Sequence, residues 1–135
     1  MIKLAKSKDK DFVILNLSDP QLTEANWGLK EDAEPHVANV HKIFEYTVDN
    51  LIERVKPDLI TITGDLAYPY DMRSYEKYVE YFNRFEIPWT VVWGNHDNQV
   101  DLGPIDEMVN ILSRSKNFIF EAGPRELGSG NCNRH

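Results

Sequence analysis

The sequence predicts an α/β domain with a mainly parallel sheet and flanking helices, and three observations carry that expectation. Short apolar runs rich in β-branched and aromatic residues recur three times, each closed by a polar turn. Stretches with apolar residues at three- and four-residue intervals separate them. Strand, helix, strand, helix, strand at these lengths requires right-handed crossovers between parallel neighbours.

The whole chain, 1–135, reads as one domain, with a polar lead at 1–10, an α/β core at 11–121 and a tail at 122–135 that is rich in Gly, Asn and Arg. Phe12-Val13-Ile14-Leu15-Asn16-Leu17 is the first strand, stopped by Ser18-Asp19-Pro20. The connection from Gln21 to Pro35 is long for a strand-to-helix loop, and such loops are more often functional than idle. Val37, Val40, Phe44, Val48, Leu51 and Val55 mark one face of the first helix, which Pro57 ends. Leu59-Ile60-Thr61-Ile62-Thr63 is the second strand, followed by Gly64-Asp65. Tyr75, Tyr78, Val79, Phe82 and Phe85 form the buried face of a second helix, closed by Pro88. Trp89-Thr90-Val91-Val92-Trp93 is the third strand, followed by Gly94-Asn95-His96-Asp97. A third helix has Pro104 near its first turn and Ile105, Met108, Val109 and Leu112 facing inward.

Composition narrows the function classes. A formal charge of -7 repels phosphate backbones unless cations are bound, so nucleic acid is not the expected partner. No run approaches the roughly 20 apolar residues of a membrane span. Met1 to Lys10 has no apolar segment of the kind that directs export, and Cys132 is the only cysteine, which points to a cytoplasmic setting.

Each strand ends in a turn carrying an oxygen donor: Asp19, Asp65 and Asn95. In open parallel sheets ligands bind at the carboxyl edge, so these groups should converge. Taken singly, each is an ordinary turn residue. Gly64 and Gly94, however, stand in equivalent places just before the polar residue, where the missing Cβ lets backbone turn sharply and approach a bound group. Hard oxygen donors with no thiolate beside them suit Mg, Mn, Fe or Zn.

Asp19, Gly64-Asp65 and Gly94-Asn95-His96-Asp97 resemble, in order and spacing, the first three motif blocks of the calcineurin-like metallophosphoesterases, and the likeness runs from about Phe12 to Asn131. Lys56-Pro57-Asp58-Leu59 and Ile87-Pro88-Trp89 are similar to the branch that includes purple-acid-phosphatase-like proteins. The resemblance implies a four-layer α/β/β/α sandwich, of which this chain would supply chiefly one sheet and its helices. It also implies two divalent or mixed-valence metal ions (Mn, Fe, Zn or Mg) and a phosphate-ester substrate. Asp19 would bind the first metal, Asp65 would bridge both and Asn95 would bind the second. His96 would act as the acid near the scissile phosphate, with Asp97 holding its ring, so that His96 and Asp97 are the catalytic pair.

Two departures from the family pattern stand out. Asp-x-His has become Asp19-Pro20-Gln21, leaving an amide where the family has an imidazole. Gly64-Asp65-Leu66-Ala67-Tyr68 resembles the block whose tyrosine binds iron in purple acid phosphatases, so either Gln21 or Tyr68 is available to complete the first site. The later histidine motifs are missing, and the chain is expected to be truncated. His36 and His41, five residues apart, do not align as a metal pair and read as helix-surface or boundary residues. Trp27, Asp71 and Arg73 read as solvated loop residues within reach of a substrate rim. The leading function is metal-dependent hydrolysis of phosphate mono- or diesters, with weak or no activity from this chain alone. The alternatives are a non-catalytic binding or scaffold member of the fold and a metal-dependent nuclease. An uncovered apolar sheet face is expected to promote self-association.

Overall fold

The computed structural model describes residues 4–24, 34–68, 71–97 and 105–121, with backbone alone for 34–38. Expectations that concern Trp27, Pro104, Cys132, the tail 122–135 and the side chain of His36 lie outside the described residues, as does most of the loop from Gln21 to Pro35. The elements run β1 (Ile14–Ser18), α1 (Glu34–Val55), β2 (Leu59–Thr63), α2 (Met72–Phe82), β3 (Trp89–Val92) and α3 (Ile105–Leu112). The class is α/β, as the sequence predicts, with a three-stranded sheet ordered β1-β2-β3. Both pairings are parallel, from Ile14↔Leu59 to Ser18↔Thr63 and from Ile60↔Trp89 to Thr63↔Val92.

Strand periodicity divides this sheet into unlike faces. The register aligns Leu15, Ile60 and Trp89 in one row and Leu17, Ile62 and Val91 in the next, so these side chains share a face. That face belongs to a core that also contains Val48 of α1, Tyr75, Tyr78, Tyr81 and Phe82 of α2, and Met108, Ile111 and Leu112 of α3. Successive right-handed crossovers in the order β1-β2-β3 put α1 and α2 on the same side, which is where the core lies. The opposite face carries Asn16, Thr61 and Thr63, whose side chains bond across the strands: Thr61 Oγ1 donates to Asn16 Oδ1 at 2.8 Å and Asn16 Nδ2 to Thr63 Oγ1 at 3.3 Å. The large apolar residues exposed beside this ladder are Ile14 and Val92.

Aromatic packing fixes α2 on the sheet. Phe82 stacks on Trp89 with ring centroids 4.7 Å apart, and Phe44 of α1 meets Tyr78, Tyr81 and Phe82 edge-on. Asp71 caps the helix by accepting from Arg73 N at 2.9 Å. The Arg73 guanidinium on Asp71 holds that carboxyl below the ordinary carboxylate range, so both residues act at a helix start instead of lying free in solvent. His41 is half-buried, with Nε2 2.7 Å from Glu24 Oε1 and 3.1 Å from the Thr23 carbonyl oxygen.

β1 ends at Ser18 instead of Leu17 and β3 at Val92 instead of Trp93, and three further differences from the sequence reading have a visible cause. β1 starts at Ile14 instead of Phe12 because Asp58 takes over the pairing before it: Val13 N donates to Asp58 Oδ2 at 3.0 Å, and Val13 O accepts from Asp58 N at 2.8 Å. α2 ends at Phe82, with Asn83 as its cap, so Phe85 packs from the following turn. A parallel bridge joins Trp89 to Phe118, with Ile119 N donating to Trp89 O at 2.8 Å, and extends the sheet beyond β3. The apolar run Phe118-Ile119-Phe120 is the sequence signal for that extension.

Phe82→Ala should destabilise the chain by about 3–5 kcal/mol in urea unfolding, since Phe82 is fully buried between Trp89 and the helices. A loss below about 1 kcal/mol would contradict this account of the core.

Candidate metal centre

β1 and β2 leave the sheet side by side, and their pairing continues through two sharp turns. Asp19 N donates to Thr63 O at 3.3 Å, Gln21 N to Asp65 O at 3.0 Å and Leu22 N to Leu66 O at 2.9 Å. Between these bonds the backbone enters the left-handed region at Asp19 (φ 48), Gln21 (φ 48), Gly64 (φ 83) and Asp65 (φ 39). Such conformations cost roughly 1–3 kcal/mol each for residues with a Cβ, and persist only where surrounding structure over-determines them. The two turns are kinked in step, which preserves their hydrogen bonds while turning Asp19 and Asp65 together.

The glycines show how closely these groups approach. A Cβ placed on Gly64 would lie 3.4 Å from Asp19 Oδ1 and 3.8 Å from Gly94 Cα. A Cβ on Gly94 would lie 2.0 Å from Asp65 Oδ1 and 2.2 Å from Asp65 N. Backbone atoms cannot yield to a contact that short, so Gly94 is required by the position of Asp65. The Asp65 side chain is nearly buried, and its Oδ1 accepts from His96 N at 3.0 Å. Ser18 Oγ donates to Asp19 Oδ2.

The third turn supplies the remaining groups. Asn95 is exposed, while His96 is partly so, with Nε2 3.9 Å from Asp65 Oδ2. The Tyr68 ring is exposed and its centroid lies 4.2 Å from that of His96. Gln21 is exposed at the same edge. Asp97 is fully buried, and its carboxylate accepts from Leu66 N (3.0 and 3.1 Å), Ala67 N (3.3 Å), Gly94 N (2.9 Å) and the Tyr75 hydroxyl (2.8 Å). Burial pushes the Asp97 carboxyl up from the ordinary range, against the opposing pull of those donors. The Asp97 carboxylate thus ties two loops and α2 together.

The edge therefore gathers Asp19, Asp65, Asn95, His96 and Tyr68 around the Gly64 and Gly94 backbones. Carboxylate, amide and phenol oxygens are the donor chemistry of a hard cation. Among the described residues no group of three or more His, Cys, Asp or Glu side chains is arranged to hold a metal ion. The buried hydroxyls of Tyr75 and Tyr78 also reach this region, Tyr78 donating to the Leu66 carbonyl oxygen at 2.8 Å. Helical periodicity places both on the core face; the signal for a polar role is that they are tyrosines where phenylalanines would fill the same space.

Gly94→Ala should cost at least about 3 kcal/mol in urea unfolding, because the new methyl collides with backbone. Gly64→Ala should cost only about 1–2 kcal/mol, the strain of its φ, since its Cβ has room. The reverse ranking would contradict the close approach of Gly94 to Asp65.

No curated protein matches the chain. A family model described as calcineurin-like phosphoesterase matches residues 12–131, a span that contains every turn described above.

Proposed function

The chain belongs to the calcineurin-like phosphoesterase family, and from that membership and the geometry of this edge we propose a metal-dependent hydrolase of phosphate mono- or diesters. The observation that carries the proposal is that Asp19 Oδ1 lies beside Gly64 and Asp65 Oδ1 beside Gly94, with the two glycine backbones adjacent to one another. Carboxylate oxygens at one edge are the donors a divalent cation prefers.

In this reading Asp19, Asp65 and Asn95 hold the metals, with Gln21 or Tyr68 completing the first position. Bound metal ions of this kind lower the pKa of water and offset charge on phosphoryl oxygens. His96 gives the leaving oxygen its proton, and the backbone bond from His96 N to Asp65 Oδ1 fixes the acid beside the ligands. Asp97 acts on the same chemistry through the loops it ties. The block Gly64 to Tyr68, with Tyr68 exposed at the edge, supports the purple-acid-phosphatase-like branch. The single cysteine, Cys132, supports a cytoplasmic setting, and no described helix is long and apolar enough to cross a membrane. Self-association belongs to the same proposal, with Ile14 and Val92 exposed, among the described residues, on the sheet face opposite the core.

The competing reading, a binding member of the fold without catalysis, is favoured by the lack of a three-residue cluster of metal-binding side chains among the described residues. Assay of the chain on an aryl phosphate and its diester, with Mn2+ and with chelator, separates the two. The proposal predicts slow, Mn2+-dependent turnover, below about 1 per second, abolished in Asp65→Asn. His96→Asn should lower the rate by about 10²- to 10⁴-fold with Mn2+ affinity little changed. Turnover that survives Asp65→Asn, or a His96→Asn variant that loses Mn2+ affinity as far as it loses rate, would contradict the proposal.

A further inference from the structure

Leu66, the residue after Asp65, is held at both of its backbone polar atoms by fully buried side chains. Its N–H donates to the Asp97 carboxylate at 3.0 Å, and its carbonyl oxygen accepts from the Tyr78 hydroxyl at 2.8 Å. Asp97 is in turn bonded by Tyr75 at 2.8 Å. Tyr75 and Tyr78 stand three residues apart on α2 and therefore on neighbouring positions of one helix face. Both rings are completely buried. A buried hydroxyl is costly unless it finds a partner, and here Tyr75 bonds Asp97 in the loop after β3 while Tyr78 bonds Leu66 in the loop after β2, two residues that are themselves hydrogen-bonded.

Packing alone does not explain these bonds, because phenylalanine would fill the core equally well. What needs holding is Asp65, which sits at φ 39 between Gly64 at φ 83 and Leu66. A strained residue relaxes unless its neighbours are fixed, and here the following peptide is fixed from both sides. The Gly94 N–H on Asp97, at 2.9 Å, ties the start of the third turn to the same carboxylate.

We propose that Tyr75 and Tyr78 are positioning residues for the edge: through Asp97 and the Leu66 carbonyl they hold the Asp65 turn in its left-handed conformation and so aim its carboxylate. Desolvation pushes the Tyr78 phenol well above its ordinary pKa, which keeps it a donor. The consequence for metal binding rests on the function proposed above, whereas the positioning itself does not.

Amide hydrogen exchange of the 15N-labelled, metal-free chain tests the claim. The reporter is His96 N–H, which donates to Asp65 Oδ1 at 3.0 Å. In Tyr75→Phe, exchange at Leu66, Ala67 and His96 should quicken by about tenfold or more. Ile60 N–H and Ile119 N–H, bonded within the sheet to Pro88 O and Trp89 O, should stay within about twofold of wild type. Tyr78→Phe should give the same pattern, strongest at Leu66 and His96. Unchanged exchange at His96 in both variants would overturn the proposal, as would equal quickening at every amide, which marks the tyrosines as general stabilisers. A parallel Mn2+ titration keeps the two claims apart: no binding by the wild-type chain would sink the metal reading of Asp65, and the exchange rates alone would still decide the positioning.

Discussion

The Asp97 carboxylate accepts hydrogen bonds from the backbone of Leu66, Ala67 and Gly94 and from the Tyr75 hydroxyl, and much of the edge depends on that one buried group. Two loops leave neighbouring strands β2 and β3 with no covalent link between them, yet Gly94 must stand within contact of Asp65. Each loop alone has several accessible conformations. A carboxylate that bonds both removes that freedom at once, and because it is buried it does so in a medium where each bond is strong. Burial also carries the cost seen in its raised pKa. The Asp97 donors offset that cost only while both loops keep their positions.

The first loop pair solves the same problem differently. Between β1 and β2 the ladder does not stop at Ser18↔Thr63 but resumes at the Leu22↔Ala67 bridge, with Tyr68 N donating to Leu22 O at 3.2 Å. Backbone bonds on both sides of the kink hold Asp19, Gln21 and Asp65 in conformations that few non-glycine residues adopt. The strain is local and its relief is blocked from either end. Three turns, one after each strand, are thus joined by two devices, a resumed ladder and a buried carboxylate.

Much of this was legible in the residues, and the parts that were not have physical reasons. Apolar runs and helical periodicity are local properties, so they located the three strands and three helices, and the parallel topology followed from their alternation. The Gly-Asp and Gly-Asn-His-Asp turns were visible as oxygen donors at strand ends, and they do lie at one edge. The bonds of Asp97 to Leu66, Ala67, Gly94 and Tyr75 were not visible, because they exist only once the loops and α2 are placed in space. Tyr75 and Tyr78 were legible as core but not as polar supports, since periodicity records where a side chain points and not what its hydroxyl meets. The start of β1 was misplaced because Asp58, some 45 residues away in sequence, competes for Val13. No local pattern encodes such a partner.

The metal reading proposed above requires that the in-step kinks and the Asp97 tie place Asp19 and Asp65 within reach of one cation. Paramagnetic broadening by Mn2+ measures that placement directly in the 15N-labelled chain. Substoichiometric Mn2+ should first broaden the amides of residues 19, 21, 64–66 and 94–96, while Val13 and Asp58 at the opposite end of the strands stay sharp. Broadening that begins instead at the acidic surface of α1, around Glu45 and Asp49, with residues 19 and 65 unaffected, would contradict the metal reading.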